Sequence, residues 1–239
     1  METIDRVKSL QEINEELEKS IKITMGIDII DNLIGGLSTG QIHSILGESG
    51  VGKSWFCQQA INSILISDRN ANVIYSDFSG NIRYLNLKRT LNCEEFLDQV
   101  NFFHPNSLLE NIILIKKIVE GQYSDISLLI LDTIFGSPMQ LIELFGESKK
   151  KWTRNIFNFM LDLRKIAIRR NLPIIIAHHA FSDASKELAS KDRLIDPFCM
   201  TKSVLHKSSN GSSLDFYVYN QFLGSTTIEL FLDRDKDLG

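Results

Sequence analysis

Cysteine is scarce in this chain: Cys57, Cys93 and Cys199 are the only three in 239 residues, far apart and with no C-x-x-C pair. An odd, scattered set supplies neither a disulfide framework nor a zinc site, and it fits a reducing compartment. Long apolar runs are missing too. No stretch of about 18 consecutive apolar residues occurs, so no segment is expected to span a membrane. The opening Met1-Glu2-Thr3-Ile4-Asp5 is acidic and amphipathic, unlike the basic-then-apolar pattern of a secretory leader. Positive charge is not in surplus either. Lys plus Arg number 26 against 30 Asp plus Glu, a net charge of −4 and a pI near 5.8. A globally basic nucleic-acid coat is thereby excluded, although a local basic face is not. The expectation is a soluble, cytoplasmic protein with no membrane partner.

The remaining composition, 43% hydrophobic and 23% charged, is that of a globular chain long enough to bury one sizeable core. Residues 1–21 are expected to form an N-terminal amphipathic helix, with Ile4, Val7, Leu10, Ile13 and Leu17 recurring every three to four positions among glutamates. Such a helix serves either as a lid on the core or as a partner-binding element. The core is residues 22–239. A short helix is expected between Gly26 and Gly36, closed by Gly35-Gly36. After it strands and helices alternate: a strand at 41–46, a helix at 54–66, strands at 72–76 and 101–103, and a helix at 107–119. A continuous apolar strand over 126–131 follows, then a helix from Lys151 to Arg170 and a strand at 173–177. That helix carries Trp152, Ile156, Phe159, Met160, Leu163 and Ile166 on its inner stripe. Near the end, 214–219 and 226–231 read as an antiparallel hairpin around Gly224. The fold class is α/β, a mainly parallel sheet flanked by helices with an antiparallel C-terminal edge.

Gly47-Glu48-Ser49-Gly50-Val51-Gly52-Lys53-Ser54 fits the phosphate-loop pattern G-x-x-x-x-G-K-[ST], with a strand before it and a helix after. Glycines let successive N–H groups turn toward phosphate oxygens beside the positive end of the following helix. Lys53 is expected to reach the β- and γ-phosphates of ATP, and the Ser54 hydroxyl to hold Mg²⁺. The run Leu128-Leu129-Ile130-Leu131-Asp132 delivers a carboxylate at the end of a buried strand, where the second metal-associated group of such a site belongs.

The segment Thr24-Met25-Gly26-Ile27-Asp28 through Asp31, Leu33-Ile34-Gly35-Gly36-Leu37 and Gly40-Gln41-Ile42, running directly into the Gly47 loop, resembles the RecA/RadA/KaiC superfamily. There a T-G-x-x-x-L-D-x-L-L-G-G-G-I segment leads to G-x-I-T-x-I-x-G ahead of the phosphate loop. Within that superfamily the chain is similar to the archaeal RadB type, a recombinase paralogue without the N-terminal helix-hairpin-helix domain. The resemblance spans about residues 22–210. It implies a RecA-like P-loop NTPase core that binds ATP and Mg²⁺, acts in homologous recombination and DNA repair, and meets DNA through two loops near the sheet's C-terminal edge. A recombinase or paralogue partner protein is implied as well.

Lys53, Ser54 and Asp132 carry over residue by residue. Two positions depart from the family. Recombinases end a strand with D-T-E-G, whose glutamate activates water; the matching Tyr75-Ser76-Asp77-Phe78-Ser79-Gly80 puts Ser79 there. A hydroxyl is a poor general base beside a carboxylate; Asp77 is the alternative, though it lies two residues earlier and would need a shifted strand end to substitute. In place of the phosphate-sensing T-N-Q stands Ala177-His178-His179-Ala180. His179 is the candidate to donate to phosphate or to link sensing to pH; the alternative is that both histidines satisfy local polar groups. Weak hydrolysis is the expectation.

From Lys149 to Arg170 eight basic side chains stand against one acidic, a local charge of +7. Lys149, Lys150, Lys151 and Arg154 are the candidate DNA contacts, single strands preferred, with the alternative that the helix has only a solvated basic face. The mixed-charge stretch Phe181–Cys199 is the counterpart of the second DNA loop. The competing class is a KaiC-like or motility-accessory ATP-binding regulator that docks on proteins rather than DNA.

Overall fold

The computed structural model describes residues 22–80, 98–134, 149–179, 195–207, 213–220 and 224–231. The expected N-terminal helix over 1–21 lies outside these residues, as does most of Phe181–Cys199, the stretch matched to the second DNA loop. The first elements are β1 (Lys22–Ile23), α1 (Asp28–Ile34), β2 (Leu37–Ser38), β3 (Ile42–Gly47), α2 (Lys53–Ser67) and β4 (Val73–Asp77). Next come β5 (Val100–Phe103), α3 (Leu108–Val119), β6 (Leu128–Asp132), α4 (Lys149–Arg170) and β7 (Ile174–His179). A 3-10 turn at Asp196–Phe198 leads into β8 (Thr201–Lys207), β9 (Ser213–Asn220) and β10 (Gly224–Phe231).

Eight strands form one sheet in the order β10-β9-β8-β3-β7-β6-β4-β5, and β1 pairs separately with β2. The six strands from β8 to β5 run parallel, and β9 and β10 are antiparallel. This is the expected α/β architecture with its antiparallel edge. Two details differ from the sequence reading. Gly224 is not the hairpin turn: it opens β10 and pairs with Asn220. And Thr201–Lys207, not anticipated as a strand, joins the parallel core to the hairpin, parallel to β3 on one side and antiparallel to β9 on the other.

The apolar core lies in two layers on the two faces of the sheet. On one, α2 buries Phe56, Cys57, Ala60, Ile61, Ile64 and Leu65 against Ile45, Tyr75, Ile130, Ile175 and Ala177. On the other, α3 and α4 bury Leu114, Ile118, Ile156, Phe159, Met160, Leu163 and Ile166 against Ile74, Leu129, Leu131, Ile174 and Ile176. Consecutive residues of β6 and β7 therefore serve opposite layers, which is why both read as unbroken apolar runs. Helix α4 ends in a left-handed residue, Asn171 at φ 50°, with Leu172 N–H donating to Ala167 O at 2.9 Å. Asparagine tolerates that conformation, and the turn sets α4 antiparallel to the strands. No helix among the described residues is long and apolar enough to cross a membrane.

Candidate functional site

The chain leaves β3 through α2 on one face, and strands β7 and β8, from the far end of the sequence, flank β3 on either side. The carboxyl end of β3 thus lies where the sheet's winding changes direction, the position at which open α/β sheets bind ligands. Residues 47–54 form the loop there. Glu48, Ser49 and Gly50 are exposed while Val51 is buried as an anchor. Gly50 and Gly52 have φ of 72° and 102°, and a β-carbon on either would meet nothing within 4 Å. Backbone conformation demands glycine at both, and open space faces them.

Gly47 is constrained differently. A β-carbon there would sit 2.6 Å from Val51 Cγ1 and 2.9 Å from Leu205 O. Gly47→Ala is expected to push the loop off β8, costing about 1–3 kcal/mol and most of the affinity for a fluorescent ATP analogue. Urea unfolding and a binding titration check this together; wild-type values in both would show that the close packing is dispensable.

Helix α2 starts at Lys53 with no side-chain cap on Gly52 and no acidic residue in its first turn. By contrast, α3 is capped by Ser107, whose side chain accepts from Glu110 N–H, and carries Glu110 in its first turn. The uncapped end of α2 offers backbone N–H groups and the positive pole of the helix to an anion. The Lys53 ammonium is tucked beneath the loop, donating to Gly47 O at 3.0 Å and Glu48 O at 2.7 Å. Burial pulls its pKa below the ordinary lysine value, and the charge of Asp132 opposes that shift.

Asp132 is buried at the end of β6. Its Oδ2 accepts from the Tyr75 hydroxyl at 2.6 Å, and the Ser54 side chain lies near enough to help hold its pKa down. Burial raises its pKa; Ser54 and Tyr75 work the other way, nearby Asp77 raises it further, and Lys53 lowers it. A carboxylate so placed gains from a nearby cation. Opposite it in register on β4 lies Asp77. Asp77 Oδ1 accepts from the Ser79 hydroxyl at 2.7 Å and Gly80 N–H at 2.9 Å, and His104 Nδ1 lies 4.0 Å from Oδ2.

The two histidines of β7 have separate surroundings. His178 is buried with Nε2 3.1 Å from Ser44 Oγ, and its pKa is pushed down to about 3 by burial, then by the charges of Lys202, Lys53 and His179. His179 is half-buried at the strand end, its pKa lowered to about 4 by burial and by Lys53. At neutral pH it is an uncharged imidazole, able to donate one hydrogen bond.

Glycines in left-handed conformations facing open space, an uncapped helix end, a buried ammonium, and a buried carboxylate with a serine hydroxyl nearby together fit a polyphosphate carrying a divalent cation. Tyr75 escaped the sequence reading. Its signal was a phenol at the centre of a buried strand, two residues before Asp77 and so on the same face.

Helix α4 ends beside Gly40, which precedes β3: a β-carbon on Gly40 would lie 3.7 Å from Ala167 O. Its first turn, Lys149 to Lys151, is therefore at the opposite, carboxyl end of the sheet, the end that carries the phosphate loop. No acidic residue accompanies these lysines, and cations at a helix N-terminus oppose the macrodipole. Arg154 is exposed. Farther along, two of the eight basic residues have structural work. Lys165 pairs with Asp162 at 2.9 Å, and Arg170 donates to the carbonyls of Ile118, in the last turn of α3, and Tyr123, just after it. Lys165 and Arg170 are thus already engaged within the fold, so the run's +7 overstates the charge free to meet a partner.

The sequence pattern of the Rad51 family matches residues 16–198. This chain belongs to the Rad51 family. Over 170 residues it is 29% identical to the DNA repair and recombination protein RadB of Thermoplasma volcanium, covering 70% of this chain and 69% of that one. To RadB of Methanococcus maripaludis it is 26% identical over 182 residues, 74% of this chain and 82% of the relative. Its fold is that of a crystal structure of the RadB recombinase, with a TM-score of 0.73 over 90% of this chain and 97% of that one, at 19% identity. Among Rad51-family proteins it is thus similar to RadB in sequence and in fold.

Proposed function

We propose that this Rad51-family member is a RadB-like recombinase paralogue that binds ATP with Mg²⁺, contacts DNA, and acts in homologous recombination and DNA repair. The observation that carries the reading is the joint placement of the 47–54 loop, Lys53, Ser54 and Asp132 at one end of β3 and β6 in a chain of this family. In that reading the loop amides of residues 47–54 cradle the phosphates, and Lys53 leaves its two carbonyls to neutralise their charge. Ser54 and Asp132 hold the metal, and neutral His179 donates a hydrogen bond toward the terminal phosphate. Bound Mg²⁺ supplies charge neutralisation on the phosphate oxygens.

Hydrolysis is weak in this reading. Ser79 occupies the place where the resemblance expects a glutamate, and its hydroxyl is a donor to Asp77. The carboxylate beside it, Asp77, already accepts from Ser79 and from Gly80 N–H and stands two residues before the glutamate's place, a poor position from which to accept a proton from water. Nucleotide state, rather than rapid turnover, governs the protein's contacts with DNA and with a recombinase or paralogue partner in the cytoplasm.

The test is binding of labelled single- and double-stranded DNA across a salt series, with and without ATP·Mg²⁺, alongside ATP turnover. Expected are ATP-modulated binding, tighter for single strands, and slow turnover. Changing Lys149, Lys150, Lys151 and Arg154 together to Gln should flatten the slope of log affinity against log salt by about 3. No DNA binding at low salt with ATP binding intact would replace this reading with a protein-docking ATP regulator. Turnover like that of an active recombinase, lost on changing Lys53, would overturn weak hydrolysis.

A further inference from the structure

We infer that Tyr75 is a positioning residue for the divalent cation of the nucleotide site, its hydroxyl pinning one carboxylate oxygen of Asp132 so that the group is held for Ser54 and the metal. The inference rests on the reading of residues 47–54, Ser54 and Asp132 as an ATP·Mg²⁺ site.

Tyr75 lies in the middle of β4, in register with Ile130 on β6. Asp132 is two residues further along β6, hence on the same face of the sheet, and the phenol spans that distance. The side chain is fully buried and its oxygen lies 2.6 Å from Asp132 Oδ2. Phe102 of the neighbouring strand packs on its ring, with centroids 5.7 Å apart, so the ring has little freedom to swing away. Toward an ionised carboxylate a phenol can only donate.

The surroundings give a phenylalanine every reason to stand here instead: Val73, Cys57, Ile130 and Phe56 belong to the same apolar layer. A buried hydroxyl costs free energy unless it is bonded, and the Asp132 bond is the one described for Tyr75. The residue thus adds to packing a fixed orientation for one carboxylate. Groups behind a metal-associated ligand commonly set its geometry, and removing one weakens metal binding about 10–100-fold.

Tyr75→Phe keeps the ring and the core volume and removes only the donor. Binding of a fluorescent ATP analogue would be measured across a Mg²⁺ series and in EDTA, with Asp132→Asn in parallel and thermal unfolding of every variant. The expected result is a Mg²⁺ midpoint raised roughly tenfold in Tyr75→Phe, with EDTA affinity unchanged. A wild-type midpoint in the folded variant, or affinity lost equally with and without Mg²⁺, would overturn the positioning role. If Asp132→Asn itself leaves the Mg²⁺ dependence unchanged, the reading of the metal site fails, and the inference with it.

Discussion

Lys53→Ala is expected to lower affinity for ATP by about a hundredfold, roughly 2.7 kcal/mol, while leaving the fold as stable as before or slightly more so. The ammonium is held under the loop by two backbone carbonyls, with burial already working against its charge. Removing it deletes the cation poised beside the glycine loop. The carbonyl of Glu48 belongs to an exposed residue, so water can replace the lost donor there. A buried ammonium without a close carboxylate bond contributes little to folding and can oppose it. Isothermal titration with ATP·Mg²⁺ and a thermal melt separate the two effects. Retained affinity would mean that the loop amides alone bind the phosphates; collapse of the melt would mean that Lys53 is a structural residue.

Acidification should destabilise the protein well above the pH at which most carboxylates titrate. His43 is buried, and its bonds fix its tautomer: Nε2 donates to Ser38 O at 3.1 Å, so Nδ1 accepts from the Thr201 hydroxyl at 2.8 Å. Burial lowers its pKa to about 4, with the Ser38 bond opposing, and that of His178 falls to about 3. In the unfolded chain both titrate near 6.5. Between about pH 6.5 and 4 the unfolded state therefore binds more protons than the native one. The histidines' contribution to stability is complete above pH 6.5 and is lost as pH falls through that window. Each buried histidine adds a slope of up to about 1.4 kcal/mol per pH unit. Asp132, whose pKa burial raises, works in the opposite direction and offsets part of the loss. Urea unfolding at pH 7.5, 6.5, 5.5 and 4.5 should show stability falling by several kcal/mol, and His43→Gln should make the fall shallower. A flat profile would show that these histidines are solvated or relax on protonation.

The parts of this fold that could be read from sequence are those where one local signal suffices. Leu128–Asp132 and Ile174–Ala177 are apolar at every position because both faces are covered, and a run of that kind has few other interpretations. The glycine loop is legible because its conformation is dictated by glycines within eight residues. Thr201–Lys207 was harder. Its sequence, T-K-S-V-L-H-K, buries Thr201, Ser203 and Leu205 on one face, and two of those three are polar. Nothing local says that Thr201 answers His43, 158 positions earlier. Tyr75 and Arg170 were illegible for a related reason. Each looks like an ordinary strand aromatic or a helix-surface charge until the fold supplies its partner, Asp132 for one and the carbonyls at the end of α3 for the other. Of the basic run, the spacing in sequence could count charges but could not say which were already engaged.

The order of strands also bears on how the protein emerges during synthesis. β3, which carries the phosphate loop, is made early, yet both of its neighbours, β7 and β8, belong to the last third of the chain. Until Ile174–His179 and Thr201–Lys207 leave the ribosome, β3 presents both hydrogen-bonding edges, and Gly47 lacks the Leu205 backbone it rests against. Closing loops of this length must precede any reward from pairing, so β3 waits with both edges unpaired until those later strands are made. The 47–54 loop is thus made well before the two strands that complete its surroundings.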